Sequence, residues 1–481
     1  MALRICWLIL FFNSLFFQLK AVEIDLQTFS YWNEKTYLEV YFRVGGSSVT
    51  YIDTGNIHQA SVSFIFYLKK GAEIVHAEKF LLQSPKLEGN ADFLTMRRFY
   101  AGPGEYLLEV EAYDTHQAEN KIQLQRTVIV MPDAQGRNAM SDVVLLSEIK
   151  KSPLADHPLV KNGIYIEPLA YKYAGSDINV VYAMTEIYLA DTTETYFVAF
   201  STMPLTPKTE IETKPLLRYK KLEKKLVQAV VIPISLAEYV SGEYQISYRL
   251  QKSDKTISDS RNSVILNSNP AADLAVMHTL PLPENHFTAE ITPAAMDYVL
   301  KAHVPVTDNI QVPMLHELIK SGDYTKGQYF IYNFWNKRHK ENAGSEFKKY
   351  MEVARAVDKN YYSTVGYGFQ THRGYFFLKY GRPDNVLSID NEPDAPPYEI
   401  WYYNKIAQTN QTNVRFLFYN ASLAHNDFWL LHSTCYGERN NPTWETELYK
   451  SVPKEKIGNT IDATEVQPNW NRNARRYFRE F

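Results

Sequence analysis

The side chains that could carry chemistry gather in the last third of the chain. Cys435 follows His432 by three residues, and a thiolate beside an imidazole is an activated nucleophile. On a strand, however, positions three apart point to opposite faces, and a lone cysteine packs by default as a small hydrophobe. His372, Asp384, His425, Asp427 and His432 are the residues from which a metal site would be drawn, but their spacing matches no recognised ligand pattern, so no metal or cofactor is implied. The segment IDNEPDAPPYE brings Asp390, Glu392, Asp394 and Glu399 together next to Trp401 and Tyr403. Two carboxyls straddling a glycosidic bond is what sugar hydrolysis requires, and the rings could stack on a sugar. A solvated, proline-rich acidic loop explains the same residues without chemistry.

The stretch GYGFQTHRGYFFLKYGRPD, from Gly366 to Asp384, is dense in glycines and aromatic rings. Its spacing fits neither a P-loop nor a dinucleotide fingerprint. The pattern predicts a loop at Gly366, Gly368 and Gly374 that joins a helix to a strand GYFFLKY. A turn at Gly381, Pro383 and Asp384 then ends that strand. At the C-terminus, PNWNRNARRYFREF joins Arg472, Arg475, Arg476 and Arg479 with Trp470, Tyr477, Phe478 and Phe481. Arginine and aromatic rings are what interface centres favour, so this is expected to be a docking tail or a helix folded back on its own domain.

These residues need elements to hold them. Residues 1–21 carry Arg4, an apolar run from Ile5 to Phe17 and a small-residue flank, the layout of a secretory signal too short to span a bilayer. Its removal leaves 49 basic against 54 acidic residues, a charge of −5, which argues against a nucleic-acid partner. Cys6 would leave with the signal, so Cys435 has no disulfide partner, and nothing further along spans a membrane. The 35 tyrosines and 25 phenylalanines favour β structure.

Strict alternation in TYLEVYFRV, with Leu38, Val40, Phe42 and Val44 on one face, predicts a half-buried strand. SVSFIFYL behaves alike, and the KKG after it reads as a hairpin turn. EYLLEVEAYD buries Tyr106, Leu108, Val110 and Ala112, and KIQLQRTVIVM closes the set. NVVYAMTEIYL, YFVAF, LVQAVVIPI, SGEYQISYRLQ and NSVIL repeat the order. Two tandem β-sandwiches of immunoglobulin or fibronectin type are expected over residues 22–135 and 150–270, with linkers at PDAQGRN and NSNPAAD. Past Pro281 the period changes. TPAAMDYVLKAH, VPMLHELIKSG, GQYFIYNFWNKR and SEFKKYMEVARAV read as amphipathic helices, followed by strands YEIWYY, NVRFLFY and FWLLHSTCY, so residues 282–481 form an α+β domain.

Within that domain, Phe334, Trp335 and Arg338 on a helix are followed by the loop Gly368, Phe369, Gln370, Thr371 and His372. The turn Gly381, Arg382, Pro383 and Asp384 and a strand with Tyr398, Glu399, Trp401, Tyr402 and Tyr403 come next. This order resembles the GWxTD-domain proteins, exported envelope proteins of Gram-negative bacteria. Phe369 stands where their signature has tryptophan, and His372 where it has aspartate. The resemblance implies a periplasmic or outer-membrane-associated protein that binds an envelope protein partner without established catalysis. Phe334, Trp335, Arg338, Gly368, Phe369, Thr371, His372, Gly381, Pro383, Asp384 and Trp401 are then its candidate binding residues. The alternatives are an envelope peptide or glycan hydrolase and a carbohydrate-binding protein.

Overall fold

The computed structural model describes residues 22–54, 57–86, 89–117, 120–153, 157–205, 216–277, 282–363, 366–441, 443–450 and 471–481. The expected signal, residues 1–21, lies outside them. Strands make up 43% of the chain, well above the roughly 20–25% of ordinary globular domains. The sheets are antiparallel apart from one short parallel pairing, and the arrangement is multidomain and sandwich-like. Among the described residues, no helix is long and apolar enough to cross a membrane.

Two compact units divide the chain, one of residues 1–238 and 242–267, the other of 239–241 and 268–481. In the first, strands Ile24–Asn33, Lys35–Val44 and Phe93–Tyr100 form a three-stranded sheet. Leu38, Val40, Phe42 and Val44 pack as expected against Phe64, Phe66, Leu68, Leu108 and Val110 of a neighbouring sheet. The hairpin turn after Lys70 forms on Gly71, whose φ is 61°.

The other face of Lys35–Val44 corrects the half-buried expectation. Tyr37 and Tyr41 share a second core with Val144, Leu146, Ile166 and Met184, so this strand is covered on both sides. Buried charge is matched where it occurs on that face. Glu39 is fully buried and accepts hydrogen bonds from Arg98 Nη2 (2.6 Å) and from the Tyr41 hydroxyl (3.0 Å). Arg43 pairs with Glu167 at 3.0 Å. The stretch after PDAQGRN is not bare linker either, because strands Ala139–Met140 and Val144–Lys151 join the six-stranded sheet.

In the second unit, helices Pro293–His303, Val312–Ser321, Tyr324–Arg338 and Ala343–Asn360 enclose a core of Leu300, Leu315, Ile331, Phe334, Trp335, Phe347 and Met351. Pro293 occupies the first turn, and Gly322 stops its helix in the left-handed region at φ 64°. A four-stranded antiparallel sheet follows, in the order Asn385–Ile389, Tyr398–Ile406, Gln411–Tyr419 and Trp429–Ser433.

GYFFLKY is not a strand of that sheet. His372–Tyr380 is a helix, capped by Thr371, whose side chain accepts from the Gly374 amide, and stopped by Gly381 at φ 85°. A short apolar run does not distinguish strand from helix, and here the caps decide. The loop at Gly366 and Gly368 therefore joins two helices, Gly374 lies inside the second, and the Gly381 turn ends a helix rather than a strand. Phe376 of this helix covers one face of the sheet with Trp401, Phe416, Phe418 and Cys435. Helices Trp444–Leu448 and Ala474–Glu480 cover the other, where Tyr398, Leu417 and Leu431 meet Trp444, Leu448 and Phe478.

Candidate interaction site

The Gly366–Asp384 segment is built by backbone contact. The Gly368 amide donates to Asp358 Oδ1 at 2.6 Å, and a Cβ on Gly368 would fall 2.3 Å from the Asp358 carbonyl oxygen. A Cβ on Gly374 would fall 2.0 Å from the Gly368 carbonyl oxygen. Only glycine permits either approach. The Thr371 hydroxyl donates to that same carbonyl at 2.7 Å and accepts from the Gly374 amide, locking the loop to the helix start. Phe369, 1% exposed, lies between Tyr298 and Tyr367 and anchors the loop in the helical core.

The next two residues hold the edge of the sheet. His372 Nδ1 accepts the Leu430 amide at 3.2 Å, and its ring lies 4.7 Å from that of Trp429. Burial, with the nearby Arg439 cation, pushes its pKa below the usual value, against a weaker upward pull from Asp427. Arg373 is only 6% exposed. Its Nη1 donates to Glu399 Oε1 at 2.6 Å, and the other Glu399 oxygen accepts the Trp401 indole N–H at 3.0 Å. Its Nη2 donates to Asn426 Oδ1 at 3.0 Å, and the guanidinium lies 3.9 Å from the Phe428 ring centre. Nε has no partner among the described residues.

Arg373 and His372 thus brace the loop between the last two strands. Asn426 is left-handed at φ 60° and donates from its amide to the Tyr362 carbonyl. Asn420 Nδ2 donates to the Ala424 carbonyl at 2.8 Å, and Ser422 donates to Asp427. Asp427 also accepts the Trp429 indole N–H at 2.7 Å. On this held loop Leu423 is 72% exposed with φ 58°, and Trp429, the first residue of the strand that follows, is 48% exposed. A bulky residue in the left-handed region is uncommon, and such strain concentrates at functional sites. The arrangement can present a rigid aromatic and an aliphatic side chain at little ordering cost.

The other expected binding residues form structural hubs. Phe334 and Trp335 lie in the helical core, where the Trp335 indole N–H donates to His303 Nε2 at 2.9 Å and His303 Nδ1 donates to the Val299 carbonyl at 2.6 Å. Full burial holds His303 neutral, with its pKa lowered to about 4. Arg338 stacks 3.7 Å from the Phe334 ring centre. Pro383 is buried, and Asp384 accepts the Asn404 amide at 2.7 Å. Trp401 is sealed between Tyr361 and Phe418.

The tail is folded back on its own unit, the second of its two expected arrangements. Arg472 pairs with Asp394 at 2.9 Å and Arg475 with Glu445 at 2.5 Å, while the Phe481 carbonyl accepts from Arg415. Arg476 lies against its neighbour Tyr477, and Trp470 lies outside the described residues.

The catalytic candidates are engaged likewise. Glu392 accepts from the Tyr398 hydroxyl (2.5 Å), the Tyr449 hydroxyl (2.6 Å) and the Asn473 amide (2.8 Å), so it pins the terminal helix. Cys435 is buried on one face of the sheet and His432 packs on the other with Trp444 and Phe478. Burial pushes the Cys435 thiol up, away from the reactive thiolate. Among the described residues, no three His, Cys, Asp or Glu side chains are grouped to hold a metal. Sequence reasoning missed Arg373, Asn426 and the exposed Leu423 and Trp429. The turn-forming run NASLAHND before Trp429 was the available signal for a shaped loop.

No family model matches the chain, and no curated protein matches it. Among solved structures, CBD12 from CALX1.2 aligns over 51% of this chain and 82% of its own, at 11% identity and a TM-score of 0.14. Two structures of a glycosyl hydrolase family 2 member from Bacteroides cellulosilyticus align over 47% of this chain and 28% and 26% of their own. Their identities are 10% and 12%, with TM-scores of 0.17 and 0.18. Likeness at this level carries no functional argument.

Proposed function

We propose that this is a non-catalytic, exported interaction protein of a Gram-negative cell envelope, whose GWxTD-like unit presents the loop around Trp429 to a protein partner. The strand-rich unit, with immunoglobulin-like modules, acts as its spacer. The observation that carries the proposal is a division of labour. The groups able to do hydrolytic chemistry, Cys435, Glu392 and Glu399, are consumed by packing, hydroxyl and guanidinium contacts. Leu423 stays exposed on a loop that Arg373 braces through Asn426, and Trp429 stays exposed at the start of the strand that follows it. Rigid, half-exposed tryptophans are the residues interfaces use as energetic anchors. Within the resemblance, His372 does what an aspartate at its place could also do, accepting a backbone N–H from the adjoining strand.

The test is cross-linking in cells followed by affinity purification of the full chain, against Trp429→Ala and Leu423→Ser. A reproducible envelope protein recovered with the parent and lost with both variants, at unchanged melting temperature, supports the proposal. Recovery of no such protein, or equal recovery with the variants, overturns it.

A further inference from the structure

A separate feature of the strand-rich unit is a cleft of about 530 Å³, within the roughly 300–1,000 Å³ typical of small-ligand sites. It opens where the turn after strand Glu73–Gln83 and the start of strand Phe93–Tyr100 meet residues 157–167. We infer that this cleft is a binding site for a neutral, hydroxyl-rich ligand, a mono- or disaccharide.

The lining supports that class on three counts. First, cations are not in excess: Lys86 and Asp92 both line the cleft, and the Glu167 carboxylate is already matched by Arg43 at 3.0 Å. A phosphate-bearing ligand would want an excess of cations or a helix N-terminus, and among the described residues no helix residue lines the cleft. Second, two primary amides, Gln59 and Gln83, stand on one wall, and amides can donate and accept at once, as vicinal hydroxyls require. Gln59 is oriented by its own bond to the Ser84 carbonyl at 2.8 Å, while the Gln83 side chain makes no bond to a described residue. Third, two aromatic rings line the cleft. The His157 and Tyr165 rings pair at 5.6 Å, and each is fixed, His157 Nδ1 by the Leu159 amide and the Tyr165 hydroxyl by Glu167 at 2.7 Å.

An extended peptide fits less well. Adding a strand needs a run of strand-edge backbone, and no strand contributes more than two residues to the lining. A fatty chain would need an enclosed apolar wall, whereas this rim is amide, carboxylate and ammonium.

Isothermal titration of the full chain with maltose, cellobiose and N,N′-diacetylchitobiose, beside tri-alanine and inorganic phosphate, tests the inference. At least one disaccharide is expected to bind with a Kd on the order of 1 mM or tighter. Gln83→Ala and His157→Ala, both at exposed rim positions, should each weaken it about tenfold or more with the melting temperature unchanged. Absence of disaccharide binding, binding only of tri-alanine or phosphate, or full affinity in both variants would overturn it. The outcome is independent of the Trp429 loop, so failure of either proposal leaves the other standing.

Discussion

The Arg373 guanidinium and the Glu399 carboxylate form a largely buried ion pair, 2.6 Å between Nη1 and Oε1, that ties helix His372–Tyr380 to the second strand of the sheet. The pair matters beyond its own energy because the same guanidinium holds Asn426, and through it the loop that exposes Leu423 and leads into Trp429.

Removing one partner of such a pair strands the other. Arg373→Met is expected to cost about 3–5 kcal/mol, and Arg373→Met with Glu399→Gln distinctly less, because no uncompensated charge is then buried. Urea unfolding of the three proteins provides the comparison. Equal destabilisation by the single and double changes would contradict the account.

Gly374→Ala must displace the Gly368 carbonyl, which lies 2.0 Å from the new Cβ. A loss of about 1–3 kcal/mol or more is expected. Gly71→Ala meets no atom within 4 Å and carries only the strain of its φ of 61°, so its cost should be about 1 kcal/mol. Thermal unfolding of both variants ranks the two effects.

Acid should destabilise the helical core through His303. Its pKa falls from 6.5 to about 4 on folding, chiefly by burial, so the unfolded chain binds the proton more tightly. The stability from keeping this ring neutral is complete above pH 6.5 and is lost as pH falls towards 4, by roughly 3 kcal/mol in all. His432, also lowered to about 4, acts in the same direction. The urea midpoint should therefore drop between pH 7 and pH 4.5, and His303→Gln should flatten that dependence. An unchanged slope in the variant would refute the assignment.

Glu392→Ala should cost about 2 kcal/mol or more, since two hydroxyls and the Asn473 amide lose a charged acceptor. The terminal helix, held there and by the Arg472–Asp394 pair, should become the first site of protease cleavage. Mass spectrometry of limited digests locates the cut.

Local pattern alone determined a good part of this protein. Alternation placed Leu38, Val40, Phe42 and Val44 on a buried face, and Pro293 with Gly322 marked helix ends, because periodicity and backbone preference act within a few residues. His432 and Cys435 pack on opposite faces of the sheet, as strand geometry predicts, although the strand itself ends at Ser433. Tertiary structure decided what depends on distant partners. The second face of Lys35–Val44 is buried only because residues from Val144 to Met184 cover it. GYFFLKY is compatible with either period, and it folds as a helix because Thr371 and Gly381 cap it and Phe376 finds a sheet to cover. The acidic loop and the arginine tail, each ambiguous in isolation, neutralise one another across some eighty residues of chain, between Asp394 and Arg472. Arg373, in a helix, meets Glu399 on a strand and Asn426 in a loop. Such a meeting has no period to announce it, because buried charge is satisfied wherever the fold supplies a partner.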